Sequence, residues 1–145
     1  MKWITREHAM VERIACPWLI KNFVDKKAEF LFVPPEKVLE VAKKEGAIPF
    51  DTSGVELGHH GEEVTFDAIL KKYKLKDSAL LELAKIVRGA DTANRTLTSE
   101  SSGLFAIAKG FRQISKNDYD NMKHQFPVYD ALYAYCKAKI SEQSP

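Results

Sequence analysis

Three stretches of the chain carry residue types that neither a core nor a solvated face requires: Arg13-Ile-Ala-Cys-Pro-Trp18, Gly54-Val-Glu-Leu-Gly-His-His-Gly61 and Val87-Arg-Gly-Ala-Asp-Thr92. In the second, Glu56, His59 and His60 place a carboxylate and two imidazoles close together. Such a donor set suits zinc or another first-row divalent ion, and a loop allows the groups to converge. Adjacent histidines in an extended segment face opposite sides, so one of the pair is expected as a ligand. His60, flanked by Gly61, is that candidate. A third ligand has to come from elsewhere, and Asp91, in a polar break after a helical pattern, supplies it. The expected metal set is therefore Glu56, His60 and Asp91. The two histidines are equally compatible with capping a turn or bonding backbone carbonyls.

The arginines are placed selectively. Of 22 basic residues only five are Arg, and Arg13, Arg88 and Arg95 fall inside or beside these stretches while the expected outer helix faces use Lys. A guanidinium is a planar fork that matches tetrahedral oxyanions and carboxylates in bidentate fashion, which a lysine ammonium does not. Cys16 precedes Pro17 at an expected helix start, where free N–H groups and the helix macrodipole lower a thiol's pKa, with Arg13 about one turn back. Arg13, Cys16 and Arg88 thus form an expected anion-binding set. The alternatives are arginines clamping carboxylates such as Glu12 or Asp91, and a Cys16 that is a small buried hydrophobe ahead of Trp18-Leu19-Ile20. Cys136, on a helix among Tyr133, Ala134 and Tyr135, reads as structural, and His8 and His124 as surface or satisfied polar residues.

The elements that must position these groups follow from periodicity. Met1 to Glu12 reads as an edge strand or extended arm around Trp3 and Ile4. Ile14, Trp18, Leu19, Phe23 and Val24 recur at helical spacing, and Pro17 is tolerated early in a helix, which predicts one from about Pro17 to Val24. Ala28 to Val33 is a strand closed by Pro34-Pro35, and Pro35 opens a helix ended by Gly46. Ile48 to Gly61 is a loop with a short strand at one or both ends. Helices are expected from Thr65 to near Tyr73, from an Asp77 cap to an interruption at Gly89 or Asp91-Thr92, and from an Asn117 or Asp118 cap through Cys136 with a kink at Pro127. Leu104 to Phe111 reads as a buried apolar segment. The fold class expected is mainly α (α+β), a single compact helical domain with a small β-sheet.

At 145 residues the chain suits one domain, able to bury roughly 68–70% of its unfolded surface. Hydrophobic residues at 45% and charged residues at 29% exclude collagenous, low-complexity and disordered classes. A net charge of +2 is too small to draw nucleic acid or an anionic membrane by bulk field, so direct nucleic-acid binding is not expected. Every hydrophobic stretch is interrupted by charge, which argues against a membrane span. Two distant cysteines and a charged opening without an apolar run make a reducing cytoplasm the expected location. Oligomeric state is not legible.

These stretches also resemble a known family. Arg13-Ile-Ala-Cys-Pro-Trp-Leu-Ile20, Phe30-Leu-Phe-Val-Pro-Pro35, Pro49-Phe-Asp51, Gly54-Val-Glu-Leu-Gly-His-His-Gly61, Ile86-Val-Arg-Gly-Ala-Asp-Thr92 and Val128-Tyr-Asp-Ala-Leu-Tyr133 are similar, in order, to the blocks of the ChrB-type chromate-resistance domain. The resemblance implies a module tied to chromate-responsive control of efflux. It brings no assignment of catalytic residues. Combined with the residues above, it leads to an expected metal- or oxyanion-binding domain that senses or sequesters chromate- or sulfate-like dianions. The alternative is a detoxifying enzyme, metal-dependent or working through the Cys16 thiol.

Overall fold

The computed structural model describes residues 1–143. Three short strands, β1 (Lys2–Arg6), β2 (Glu29–Val33) and β3 (Ile48–Pro49), form a parallel sheet in the order β2-β1-β3. Six α-helices surround it: α1 (Glu12–Phe23), α2 (Val38–Glu45), α3 (Thr65–Lys72), α4 (Ser78–Asp91), α5 (Ser101–Ile114) and α6 (Asp118–Gln143). This is the mainly helical α+β domain expected. No helix among the described residues is long and apolar enough to cross a membrane.

β1 is the central strand rather than an edge. Parallel neighbours need crossover connections, and here α1 carries the chain from β1 to β2, then α2 carries it from β2 to β3. Alternation along β1 explains why both its faces are covered. Trp3 faces the main core with α1, whereas Ile4 joins Val38, Ala42 and Ala47 in a second cluster under α2. Thr5 is also buried, and its hydroxyl donates to the Phe50 carbonyl at 2.6 Å, tying β1 to the chain leaving β3. Gly46 ends α2 in the left-handed conformation (φ 64°), as its sequence position predicts.

α1 begins at Glu12, one turn earlier than the apolar spacing alone predicts, and Pro17 lies inside it. The free N–H groups expected at Pro17 therefore do not exist there; the helix starts on Val11, whose carbonyl accepts from Ala15 at 2.9 Å. α1 is buried along most of its length because α6 packs over it. Trp18 Nε1 donates to Asp130 at 2.8 Å, its ring meets Phe23 and Tyr133 edge-on, and the Tyr129 hydroxyl donates to the Val11 carbonyl at 3.2 Å. α6 runs as helix through Pro127, with Asn117 Oδ1 accepting from the Asp120 amide at 2.8 Å near its start.

α4 is capped by Asp77, which accepts from the Ala79 and Leu80 amides at 2.8 and 3.4 Å. It ends at Asp91, where the Thr92 hydroxyl returns to the Arg88 carbonyl at 2.8 Å. Gly89 is buried in α4 for a steric reason: a Cβ there would lie 2.2 Å from Ser101 Oγ. The close approach lets Ser101 donate to the Ile86 carbonyl at 3.0 Å and locks α5 against α4. α5 is not the buried segment that its composition suggests. Ser101, Leu104 and Ala108 are buried, and Ile107 and Ile114 stay exposed, because only one stripe of the helix meets α4 and α6.

Candidate metal centre

The first residue of α1 sets the site. Glu12 is 1% exposed, and its carboxylate accepts from the amides of Thr65 at 3.2 Å and Phe66 at 2.6 Å. A residue of one helix thereby satisfies the open N–H groups at the start of another, α3, where a negative charge is also favoured by the macrodipole. Asp67 completes that start by accepting from the Val64 amide at 3.0 Å.

The loop between β3 and α3 is pinned by the buried side chains of Phe50, Leu57 and Val64. Asp51 opens it in the left-handed region (φ 50°), where short polar side chains are tolerated, and its amide donates to the Leu57 carbonyl at 2.8 Å. This folded loop lays His59 over Glu12. His59 Nε2 stands 2.8 Å from Glu12 Oε1, 3.3 Å from Asp91 Oδ2 and 3.5 Å from Asp51 Oδ1. One ring nitrogen thus faces three carboxylates brought from α1, from the loop and from the end of α4. Asp51 also accepts from the Thr65 hydroxyl at 2.9 Å, and its other oxygen lies 3.4 Å from Arg6 Nη2 and 3.6 Å from Arg13 Nη1.

The electrostatics are those of a crowded anionic site with a cation in its middle. The hydrogen bonds to Asp51 and Glu12 lift His59 to about 10, so the ring is an imidazolium at neutral pH. Burial, and then the charges of Glu12 and Asp51, push Asp91 up to about 8. Burial also raises Glu12, against the His59 hydrogen bond. Burial pushes Asp51 upward too, but hydrogen bonds from His59 and Thr65 together with Arg13 and Arg6 hold it below the usual range. Ligand atoms of Glu12, His59 and Asp91 all lie within 4.8 Å of one another, a spacing at which one divalent ion could touch all three. A cleft of about 400 Å³, lined by Arg6, Asp51, Ser53, Gly54 and His59, borders this centre on its Asp51 and His59 side.

The chain matches the family described as ChrB, C-terminal domain, over residues 3–136. The chain belongs to that family. It is similar to Protein ChrB of Cupriavidus metallidurans, with 33% identity over 135 residues that cover 92% of this chain. Those residues make up 40% of the relative, so the chain spans about two fifths of its length. No solved structure matches the chain.

Within this ChrB domain, the residues singled out from sequence separate into groups. Asp91 joins the cluster, but with His59 and Glu12 rather than with His60 and Glu56. The two histidines do face opposite ways, and His59 is the one turned inward. His60 Nε2 lies 2.7 Å from the Glu56 carbonyl, on the solvent side, and the Glu56 carboxylate pairs with Lys72. Arg13 donates to the carbonyls of Glu7 and His8 at 3.3 and 3.0 Å besides facing Asp51. Arg88 forks onto Asp67, with Nε and Nη2 donating at 3.1 and 2.9 Å, which is the carboxylate clamp held open as an alternative. Cys16 is fully buried, its Sγ 3.8 Å from Glu12 Oε2. Burial and then the Glu12 charge push its thiol well above the ordinary value, opposite to the activated thiol that a helix start at Pro17 would have given. Glu12, Asp51 and Arg6 were missed as site residues. Asp51 stands within a matched block, whereas Glu12 adjoins one and enters the sequence reading only as a carboxylate that an arginine could clamp.

Proposed function

We propose that this domain is a divalent-metal-binding module, its ion held by Glu12, His59 and Asp91 with Asp51 alongside. The convergence of three carboxyl groups on His59 Nε2 supports this reading, since acidic groups this close need a cation or a proton among them, and without metal the imidazolium and a proton on Asp91 fill that role. The donors are mostly hard oxygens with one imidazole, a set that suits zinc, manganese or ferrous iron. Membership of the ChrB family associates the chain with chromate resistance, and the metal centre is the part of it that we assign to that role.

Recognition of a chromate- or sulfate-like oxyanion is a second reading, and Arg6 favours it. Arg6 lines the cleft beside His59 and keeps 36% of its side chain exposed even with Nε on the Asp51 carbonyl and Nη2 near its carboxylate, whereas Arg88, on Asp67, and Arg13, on two carbonyls and near Asp51, do not line that cleft. An oxyanion in the cleft would meet Arg6 and a metal held by Glu12, His59 and Asp91 together. A binding role fits Cys16 better than a thiol-based enzyme does, because a buried protonated thiol is a poor nucleophile.

Calorimetric titration of the metal-free protein with zinc and manganese tests the assignment. His59→Ala and Asp91→Asn are expected to lower affinity by tenfold or more, while His60→Ala and Glu56→Gln leave it within twofold. The reverse pattern, or no binding by the parent protein, would sink it.

A further inference from the structure

We propose that Asp51 is the resident anion of a dianion site made by Arg6 and Arg13, and that a divalent ion drawn between Glu12, His59 and Asp91 pulls Asp51 off the two arginines and opens that site. The release step rests on the metal reading above, whereas the arginine pair stands on its own geometry.

The two oxygens of Asp51 face different charges. Oδ1 accepts from the Thr65 hydroxyl at 2.9 Å and lies 3.5 Å from His59 Nε2, while Oδ2 lies 3.4 Å from Arg6 Nη2 and 3.6 Å from Arg13 Nη1. Oδ2 thus sits between two guanidinium groups, where the oxygen of a bound oxyanion would sit. Both contacts are long, since charge-assisted pairs close to about 2.7–2.9 Å. One carboxylate shared among three cations closes on none of the three.

Arg13 is the less satisfied of the two arginines. Its side chain is only 16% exposed, its Nη2 is spent on the carbonyls of Glu7 and His8, and its Nε is buried without a hydrogen-bond partner. Burial and then the charge of Arg6 hold it below its ordinary value, so the pair is short of negative charge. Arg6 and Asp51 line the cleft, and Arg13 lies behind Asp51.

A cation in the cluster changes this balance. Of the three carboxyl groups on His59 Nε2, Asp51 is the farthest out, at 3.5 Å against 2.8 and 3.3 Å. A divalent ion replaces the single charge of the imidazolium with a double one and draws oxygen donors inward. The Thr65 hydroxyl already holds Oδ1 on the inner side, so only Oδ2 has to leave the arginines. A tetrahedral dianion then suits the pair, because its several oxygens receive both forks where one carboxylate oxygen could not. Cation and dianion favour the same position of Asp51, so each tightens the other by the same factor.

Calorimetric titration with sulfate at fixed ionic strength, on metal-free and zinc-loaded protein, tests this. Zinc should tighten sulfate binding by about fivefold or more. Asp51→Asn keeps an oxygen for Thr65 and tolerates the left-handed backbone, but takes the charge off the arginines. Without metal, that variant should bind sulfate about fivefold or more tighter than the parent, and Arg13→Lys added to it should cancel the gain. An Asp51→Asn protein that binds sulfate no better than the parent, or a gain that survives Arg13→Lys, would overturn the arginine site. If circular dichroism shows Asp51→Asn unfolded, Arg13→Lys decides alone, and a zinc-induced gain that it leaves intact overturns the site. Zinc that binds without tightening sulfate would overturn the release step. A parent that binds no zinc would sink the metal reading and the release step together, and the metal-free Asp51→Asn result would still decide the arginine site.

Discussion

His59 Nε2 and Glu12 Oε1 stand 2.8 Å apart across 47 positions of sequence. The contact joins a half-exposed loop residue to a carboxylate that is entirely enclosed, and Glu12 carries two structural duties in addition. It caps α3 through Thr65 and Phe66, and it receives the Cys16 thiol. The cluster is thus built onto a helix-capping interaction, so the groups of the metal site we propose are already gathered by the fold.

Glu12→Gln separates these duties. The amide keeps one acceptor oxygen for α3 but replaces the other with a donor, which leaves Thr65 or Phe66 N–H without its charged partner. Hydrogen bonds to charged groups contribute about 1.5–3 kcal/mol, and a loss of that size in urea denaturation is expected along with the loss of metal binding. A variant as stable as the parent would show that the cap contributes nothing.

Gly89→Ala pits helix propensity against packing. Alanine is favoured over glycine by about 1 kcal/mol within a helix, so propensity alone predicts stabilisation. The new Cβ would stand 2.2 Å from Ser101 Oγ and 2.7 Å from its Cβ, which forces α5 away from α4. Overpacking costs about 1–3 kcal/mol, so net destabilisation is expected, and weaker metal binding with it because Asp91 lies within the same last turn. Thermal melts and zinc titration of the one variant check both.

The contrast between those two positions shows what the sequence can disclose. Asp77 as a cap, Gly46 as a left-handed stop and Glu29–Val33 as a strand rest on neighbours a few residues apart, and each was legible. The opposed directions of His59 and His60 were legible for the same reason. Which of the two turns inward was not, because that depends on Asp51 starting the loop with positive φ and on Leu57 anchoring it. Glu12 was hidden more thoroughly: the sequence offers it only as a carboxylate an arginine could clamp, and the contacts that make it a site residue, with His59, Thr65 and Phe66, lie 47 to 54 positions away. The central placement of β1 was similarly hidden, since it follows from two crossovers and not from Trp3 and Ile4 themselves.

Arg88→Lys tests whether that arginine serves structure or anions. Lysine keeps the charge but cannot reproduce the two-pronged contact with Asp67. With the Arg88 side chain 31% exposed, the expected loss is modest, about 1 kcal/mol, and sulfate or chromate binding should be unchanged. A selective loss of anion binding at unaltered stability would return Arg88 to the recognition site.

Metal and proton should compete for the cluster. Without metal, His59 titrates at about 10 and Asp91 at about 8, so at pH 7 both hold protons. A divalent ion needs the deprotonated imidazole and carboxylate, and its binding must expel those protons. The sign follows: raising the pH from 6 to 8 removes a competitor and tightens binding, by up to about tenfold per pH unit for each proton released. Above about 10 the protein no longer holds those protons and the slope should vanish. Calorimetry at pH 7 in buffers of different ionisation enthalpy counts the protons directly, with one to two expected. His59→Asn should lower that count as well as the affinity. Zinc uptake that releases no proton at pH 7 would mean that the ion sits somewhere other than between Glu12, His59 and Asp91.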